Sequence, residues 1–235
     1  MGYVGYEPAR KPLTSADITD SVVTSAKIVD GTIALADLSA TGTKDSTTFL
    51  RGDNSFATVS SDYVLLATTD ASSSASVSFD GYFSSTYKNY KLIISSMIPA
   101  TDGQTFRMRY RISNADVTAS NYISSIDSSY TNSSAGGNDY DRVWNADSFR
   151  ISGSAVQNSD SLSSLNGEFT FYNSLGTSYK KCFTFIGTSN ASGTTFFNYN
   201  SSGVYTGSTS ALSGVTFFMS SGNITIGNFK LYGIK

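Results

Sequence analysis

TFRMRYRI, residues 105–112, puts Phe106, Met108, Tyr110 and Ile112 on one side of an extended chain and Arg107, Arg109 and Arg111 on the other. Side chains alternate between the faces of a strand, so this octet reads as a β-strand with one face in a core and one toward polar surroundings. EFTFY and NFKLYGI, in the C-terminal half, alternate in the same way. Further short segments rich in β-branched and aromatic residues lie at 63–68, 75–79, 91–97, 149–154, 167–172, 181–187, 194–199, 215–220 and 227–234. Clusters of Gly, Asn and Ser separate most of them, as turns require. No segment shows helical periodicity. The expected fold is all-β: a short repetitive N-terminal shaft followed by a jelly-roll-like antiparallel β-sandwich.

The composition agrees. Charged residues are 14% of the 235, and aromatics are 13%, mostly Tyr and Phe. Hydroxyls and amides take over the work of charge on the surface, as in extracellular or virion β proteins. A net charge of -2 with no basic run beyond Lys180-Lys181 argues against nucleic-acid binding. No apolar run approaches the ~20 residues of a membrane span, so membrane insertion is not expected. The N-terminal MGYVGYEPARKPL lacks the apolar segment of a signal peptide. A chain of extracellular style without an export signal is most simply a phage structural protein, assembled into the virion in the host cytoplasm and released by lysis. Cys182 is the single cysteine, and in KCFTFIG it reads as a buried, inert thiol.

Four regions follow from the pattern: an arm at 1–12, a repeat shaft at 13–41, a hinge at 42–61 and a β-sandwich head at 62–235. In the arm, Tyr3, Tyr6, Pro8 and Pro12 suit docking into a partner on the virion; a disordered leader is the plain alternative. In the shaft, Leu13, Ile18, Val23, Ile28, Ile33 and Leu38 recur every five residues. Ala16, Ser21, Ala26, Gly31 and Ala36 stand two before the last five of them, and a ten-residue echo (ADITD, AKIVD, ADLSA) overlies the ladder. A period of five fits neither helix nor strand and marks a repetitive, elongated structure. The A-D-I-x-x pattern resembles the pentapeptide-repeat family, but the run supplies little more than one coil of such a solenoid. Three chains sharing the apolar stripe would bury it. In the hinge, Arg51-Gly52-Asp53 reads as a turn between the anchors Leu50 and Phe56 rather than as an adhesion tripeptide.

Together the GYVGYEP arm, the TSADITDSVVTSAKIVDGTI repeats, the FLRGDNSFATV junction and the closing GNFKLYGIK strand resemble tail-fibre and tail-associated proteins of marine and freshwater bacteriophages. The resemblance runs along the whole chain, and the repeat-plus-junction portion is its most specific part. It implies a homotrimer, anchored through its N-terminus to another tail or virion protein, whose head touches host cell-surface polysaccharide. The shaft is briefer than in longer members, which leaves a head fibre, decoration protein or tail connector as the alternative.

Catalysis finds little support. The absence of His removes the commonest general base and the usual triads and zinc sites. Glu7 and Glu168 are the only glutamates. A glycan-cleaving carboxylate pair would have to come from residues such as Asp139, Asp141 and Asp147. Neither a metal nor a cofactor is expected. Binding fits better. Residues 114–148 read as a long loop before Phe149, and within it Tyr130, Tyr140, Asp141, Arg142, Trp144 and Asn145 combine flat aromatics with planar polar groups, as sugar recognition requires. A core or subunit-interface role for Trp144 is the competing reading. The Arg107, Arg109, Arg111 stripe reads as paired with Asp on a neighbouring strand or subunit or as simply facing water, or else as a site for anionic sugars or lipopolysaccharide phosphates.

Overall fold

The computed structural model describes residues 12, 14–37, 39–59, 61–153, 156, 163–191 and 195–235. Tyr3, Tyr6, Pro8, Leu13 and Leu38 lie outside these residues; Pro12 is exposed. The chain divides into two compact units, Met1–Ser60 and Ser61–Lys235.

In the first unit the five-residue ladder is realised as a ten-residue structural repeat. Short 3-10 turns stand at Ser15–Asp17, Ser25–Lys27 and Leu35–Asp37. An aspartate closes the first and third of these turns, while the second has no side-chain cap. The Asp17 carboxylate accepts hydrogen bonds from the Thr14 amide at 2.8 Å and its hydroxyl at 2.6 Å, a reciprocal cap of a turn's free N–H groups. Asp37 accepts the Ala34 amide at 2.8 Å in the same way. Between the turns the backbone reverses through left-handed Ser21 (φ 69°) and Gly31 (φ 78°), ten residues apart. Ile18, Val23, Ile28 and Ile33 are all exposed in the single chain, as are Val22 and Val29.

The region expected to be a hinge contains a hairpin, β1 (Thr48–Leu50) with β2 (Phe56–Thr58). Arg51-Gly52-Asp53 is its turn. The Asp53 carboxylate accepts the Ser55 amide at 3.1 Å and hydroxyl at 2.6 Å, and the Arg51 amide donates to the Ser55 carbonyl at 2.8 Å. Those local bonds occupy the Arg51 amide and the Asp53 carboxylate.

The second unit is antiparallel β throughout: β3 (Tyr63–Ser74), β4 (Ser76–Asp80), β5 (Asn89–Pro99), β6 (Phe106–Ile112), β7 (Ala115–Asp116), β8 (Tyr122–Thr131), β9 (Gly136–Ala146), β10 (Phe149–Arg150), β11 (Leu165–Tyr172), β12 (Lys181–Ala191), β13 (Thr195–Tyr205), β14 (Gly214–Met219) and β15 (Ile224–Ile234). The larger sheet runs β3-β15-β5-β11-β12-β13-β8-β9, and the smaller β10-β6-β14-β4, with β7 paired to β6. The two sheets bury one aromatic core between them. Phe217 of β14 packs across it at a tilt against Phe169 of β11, with ring centroids 5.1 Å apart, and Phe149 of β10 meets Phe183 of β12 at 4.7 Å. Burial of such rings dominates the favourable side of folding. Room for them comes from glycine: Gly167 and Gly187 are directly opposed, and the Phe185 ring fills the space where their Cβ atoms would be, 2.6 and 2.3 Å away.

The alternation read in TFRMRYRI is present: Phe106, Met108 and Tyr110 are buried. Residues 114–148 differ from the sequence reading. They form not a loop but mainly the long hairpin β8–β9, added to the edge of the larger sheet. The inward positions of β8 run Tyr122, Ser124, Ile126 and Ser128, so two buried serines alternate with the apolar residues and the hydrophobic period is broken. As the sheet's last strand, β9 is paired on one side only and mostly exposed, and its residues carry no core signal.

Cys182 also differs. Phe183 and Phe185 point into the core, so the period of two sends Cys182 to the outer face, exposed, and brings Lys181 inside. Lys181 is buried, and its ammonium donates to the carbonyls of Gly176, of Thr209 at 3.1 Å and of Tyr179 at 3.4 Å. Burial pulls its pKa below the ordinary lysine range.

Candidate functional site

The outer face of the larger sheet carries a furrow over β13, β8 and β9. Strand register builds it in rows. Asn200 of β13 pairs with Asp127 of β8, which pairs with Tyr140 of β9. The next row is Asn198, Ser129 and Asn138. These six side chains line a groove of about 240 Å³. The alternating inward neighbours are what hold them outward: Phe197 and Tyr199 on β13, Ile126 and Ser128 on β8.

Three carboxamides, a carboxylate and a hydroxyl therefore converge on one concave surface. Each amide both donates and accepts, while the carboxylate only accepts. Paired donors and acceptors of this kind match vicinal hydroxyl groups. Tyr140 is 68% exposed and offers a flat ring at the rim. Alternation along β9 carries Arg142 and Trp144 outward beyond it, with Trp144 72% exposed. Trp144 is thus not a core residue. Asn145 sits beside it with φ 53°, where the β8–β9 register slips.

The residues singled out in the sequence are divided between two faces. Tyr140, Arg142 and Trp144 project from the outer side. Asp141 points the other way and forms an ion pair with Arg150 of β10. Tyr130 also lies on the inward parity, near the open end of the core, with its ring 6.0 Å from Phe197 and against Gly137. Asp127, Ser129, Asn198 and Asn200 were not singled out. The signal for the two asparagines was available: in FFNYNS they alternate with Phe197 and Tyr199, so a strand that buries its aromatics must display its amides.

Along the same strands the furrow continues into a second, apolar groove of about 390 Å³, lined by Ile123, Ser125, Ser202, Val204, Cys182, Thr184 and Tyr172 among others. Although Cys182 is at the surface, the groove partly desolvates its thiol and raises it above its ordinary range, so it is a neutral lining group at neutral pH.

Two of the three arginines of the stripe on β6 are ion-paired. Arg109 donates to the Asp147 carboxylate at 2.6 Å and lies 4.7 Å over the Phe218 ring. Arg111 meets Asp80 and Asp116, and Arg107 donates to Ser148 at 3.4 Å. Burial opposes ionisation of Asp147, but the Ser148 hydroxyl and the Arg109 guanidinium outweigh it and hold the carboxyl below its usual range. Among the described residues there is no group of three or more His, Cys, Asp or Glu side chains placed to hold a metal ion, and no helix is long and apolar enough to cross a membrane.

No family description, curated protein or solved structure matches the chain.

Proposed function

We propose that the chain is a non-enzymatic, homotrimeric phage virion protein of tail-fibre type, whose jelly-roll-like head binds host-surface glycan in the β13–β8–β9 groove. The arm would dock on another virion protein through Tyr3, Tyr6, Pro8 and Pro12, and the repeats would form a short shaft. One observation carries the glycan reading: Asp127, Asn138, Asn198 and Asn200 converge in one groove beside the exposed Tyr140 ring. A few placed polar groups with an aromatic wall are the usual make-up of a small-ligand site. The shallow site favours weak single contacts, and three linked copies would raise avidity without any new contact. The exposed apolar residues of the repeats support self-association, since a single chain leaves Ile18, Val23, Ile28 and Ile33 in water. Two of the carboxylates that a hydrolase would call on, Asp141 and Asp147, are engaged by Arg150 and Arg109.

The test is an array of bacterial capsular and O-antigen polysaccharides probed with the full chain and with Tyr140→Ala. The reading expects binding to a restricted set, weakened about tenfold or more by the substitution, as loss of an aromatic contact of 1.4 kcal/mol or more would give. No binding to any polysaccharide would favour a purely structural virion role, such as a head fibre, decoration protein or tail connector. Release of reducing sugar ends would favour a depolymerase.

A further inference from the structure

The polar and apolar grooves share two strands. Asp127 and Asn200 line the first; two residues further along the same strands, Ser125 and Ser202 line the second, and Ile123 and Val204 stand two beyond those. From Ser129 to Ile123 the furrow is about 20 Å long at the usual rise per strand residue. Its depth has a local cause. Ser125, Ser202, Cys182 and Thr184 are small side chains on adjacent strands, and Tyr172 on β11 rises beside them, its hydroxyl 3.1 Å from the Thr184 hydroxyl. Chemistry changes along this floor: amides and a carboxylate at one end, hydroxyls in the middle, and at the other end Ile123, Val204 and a neutral thiol with no charged residue in the lining.

We propose that the apolar groove is a second subsite of one extended glycan site and takes a sugar residue bearing a methyl group, either a 6-deoxyhexose or an acetylated sugar. This rests on the glycan reading of the polar groove and specifies which glycans it selects. Hydroxyl-rich residues meet the donors and acceptors at the amide end. The methyl group of the neighbouring residue is removed from water between Ile123, Val204 and the Tyr172 ring. Burying one methyl-sized group discriminates by about 10- to 200-fold in a fitted pocket.

Cys182, the single cysteine of the chain, reports occupancy without any substitution. Its alkylation by iodoacetamide is followed by mass in the full chain, alone and with three probes: a polysaccharide containing 6-deoxyhexose, an O-acetylated polysaccharide before and after mild base treatment, and a polymer lacking both groups. Binding to each is measured alongside. The proposal expects tenfold or tighter binding of a methyl-bearing polymer over the bare one, slowed alkylation only with the former, and loss of the preference in Val204→Thr, which keeps shape and adds a hydroxyl. Protection by the deoxy polymer, or protection that base treatment removes, identifies the source of the methyl. Binding with no methyl preference, or with Cys182 alkylated at its free rate, overturns the second subsite and leaves the polar groove standing. Failure to bind any of the probes or any polysaccharide on the array overturns both.

Discussion

Asp127 on β8 and Tyr140 on β9 are register partners on the outer face of the larger sheet, with Asn200 of β13 on the other side of Asp127. A hairpin and a strand from far along the sequence thus place a carboxylate between a ring and an amide. The groove is a product of sheet order, and each residue's role depends on the strand beside it.

The groove residues are outward-facing, so their removal is expected to cost binding and not folding. Asp127→Asn keeps shape and removes the charge. It should weaken polysaccharide binding about tenfold, in line with the loss of a charged hydrogen bond of about 1.5 kcal/mol, while the thermal midpoint stays within the small range of surface substitutions. Parallel binding and melting curves check this.

The core should respond in the opposite way. A Cβ at Gly203 would lie 2.6 Å from both the Phe149 and Phe183 rings, which meet where the two sheets pack. Gly203→Ala is expected to destabilise the head by about 1–3 kcal/mol through overpacking, read as a lower denaturant midpoint with an unchanged slope.

Alkaline pH should unfold the head. Tyr110, Tyr122 and Tyr199 are buried, and burial raises all three phenols above the ordinary value of 10.0, that of Tyr199 to about 12. The folded state keeps these protons when the unfolded state has released them. The unfolded state therefore binds fewer protons above pH 10, and stability falls as pH rises from there through the folded values. Lys181 acts oppositely just below 10.5: its folded pKa is lowered, so the unfolded state binds the extra proton and stability rises with pH across that window. The three tyrosines outnumber it, and denaturant midpoints measured from pH 8 to 12 should decline above 10.

The repeats should drive assembly. Ile18→Ser with Ile28→Ser removes two rungs of the exposed ladder at equivalent positions of successive ten-residue units. Light scattering should show the full chain as a trimer and the double variant as a lower-mass species. A wild-type monomer would contradict the shared-stripe account.

Much of the head was legible because its strands bury one face. Nine of the ten segments identified by alternation and residue type coincide with strands, since apolar residues at every second position mark a face to bury; of 149–154 only Phe149–Arg150 is strand, and Ile151 and Ser152 follow it outside any strand. The β8–β9 hairpin was hidden because buried Ser124 and Ser128 sit where the pattern expects apolar residues and because an edge strand has little to bury. Lys181 concealed the parity of its strand, and with it the exposure of Cys182. In the repeats, the spacing of five was plain, but the alternation of capped turn and left-handed reversal depends on hydrogen bonds such as Thr14 to Asp17 that a ladder of apolar residues does not reveal. The groove itself needed the strand order: Asn200, Asp127 and Tyr140 are neighbours only because β13, β8 and β9 are.

The central claim is that the outer-face amides bind glycan. Its most direct test compares the affinity of the full chain and of Asn198→Ala/Asn200→Ala for a polysaccharide that the array selects, with melting temperature as the folding control. Two lost amide contacts of about 1 kcal/mol each predict a loss of about thirtyfold with an unchanged melting temperature. Equal affinity in the two proteins would place the glycan elsewhere and contradict the account.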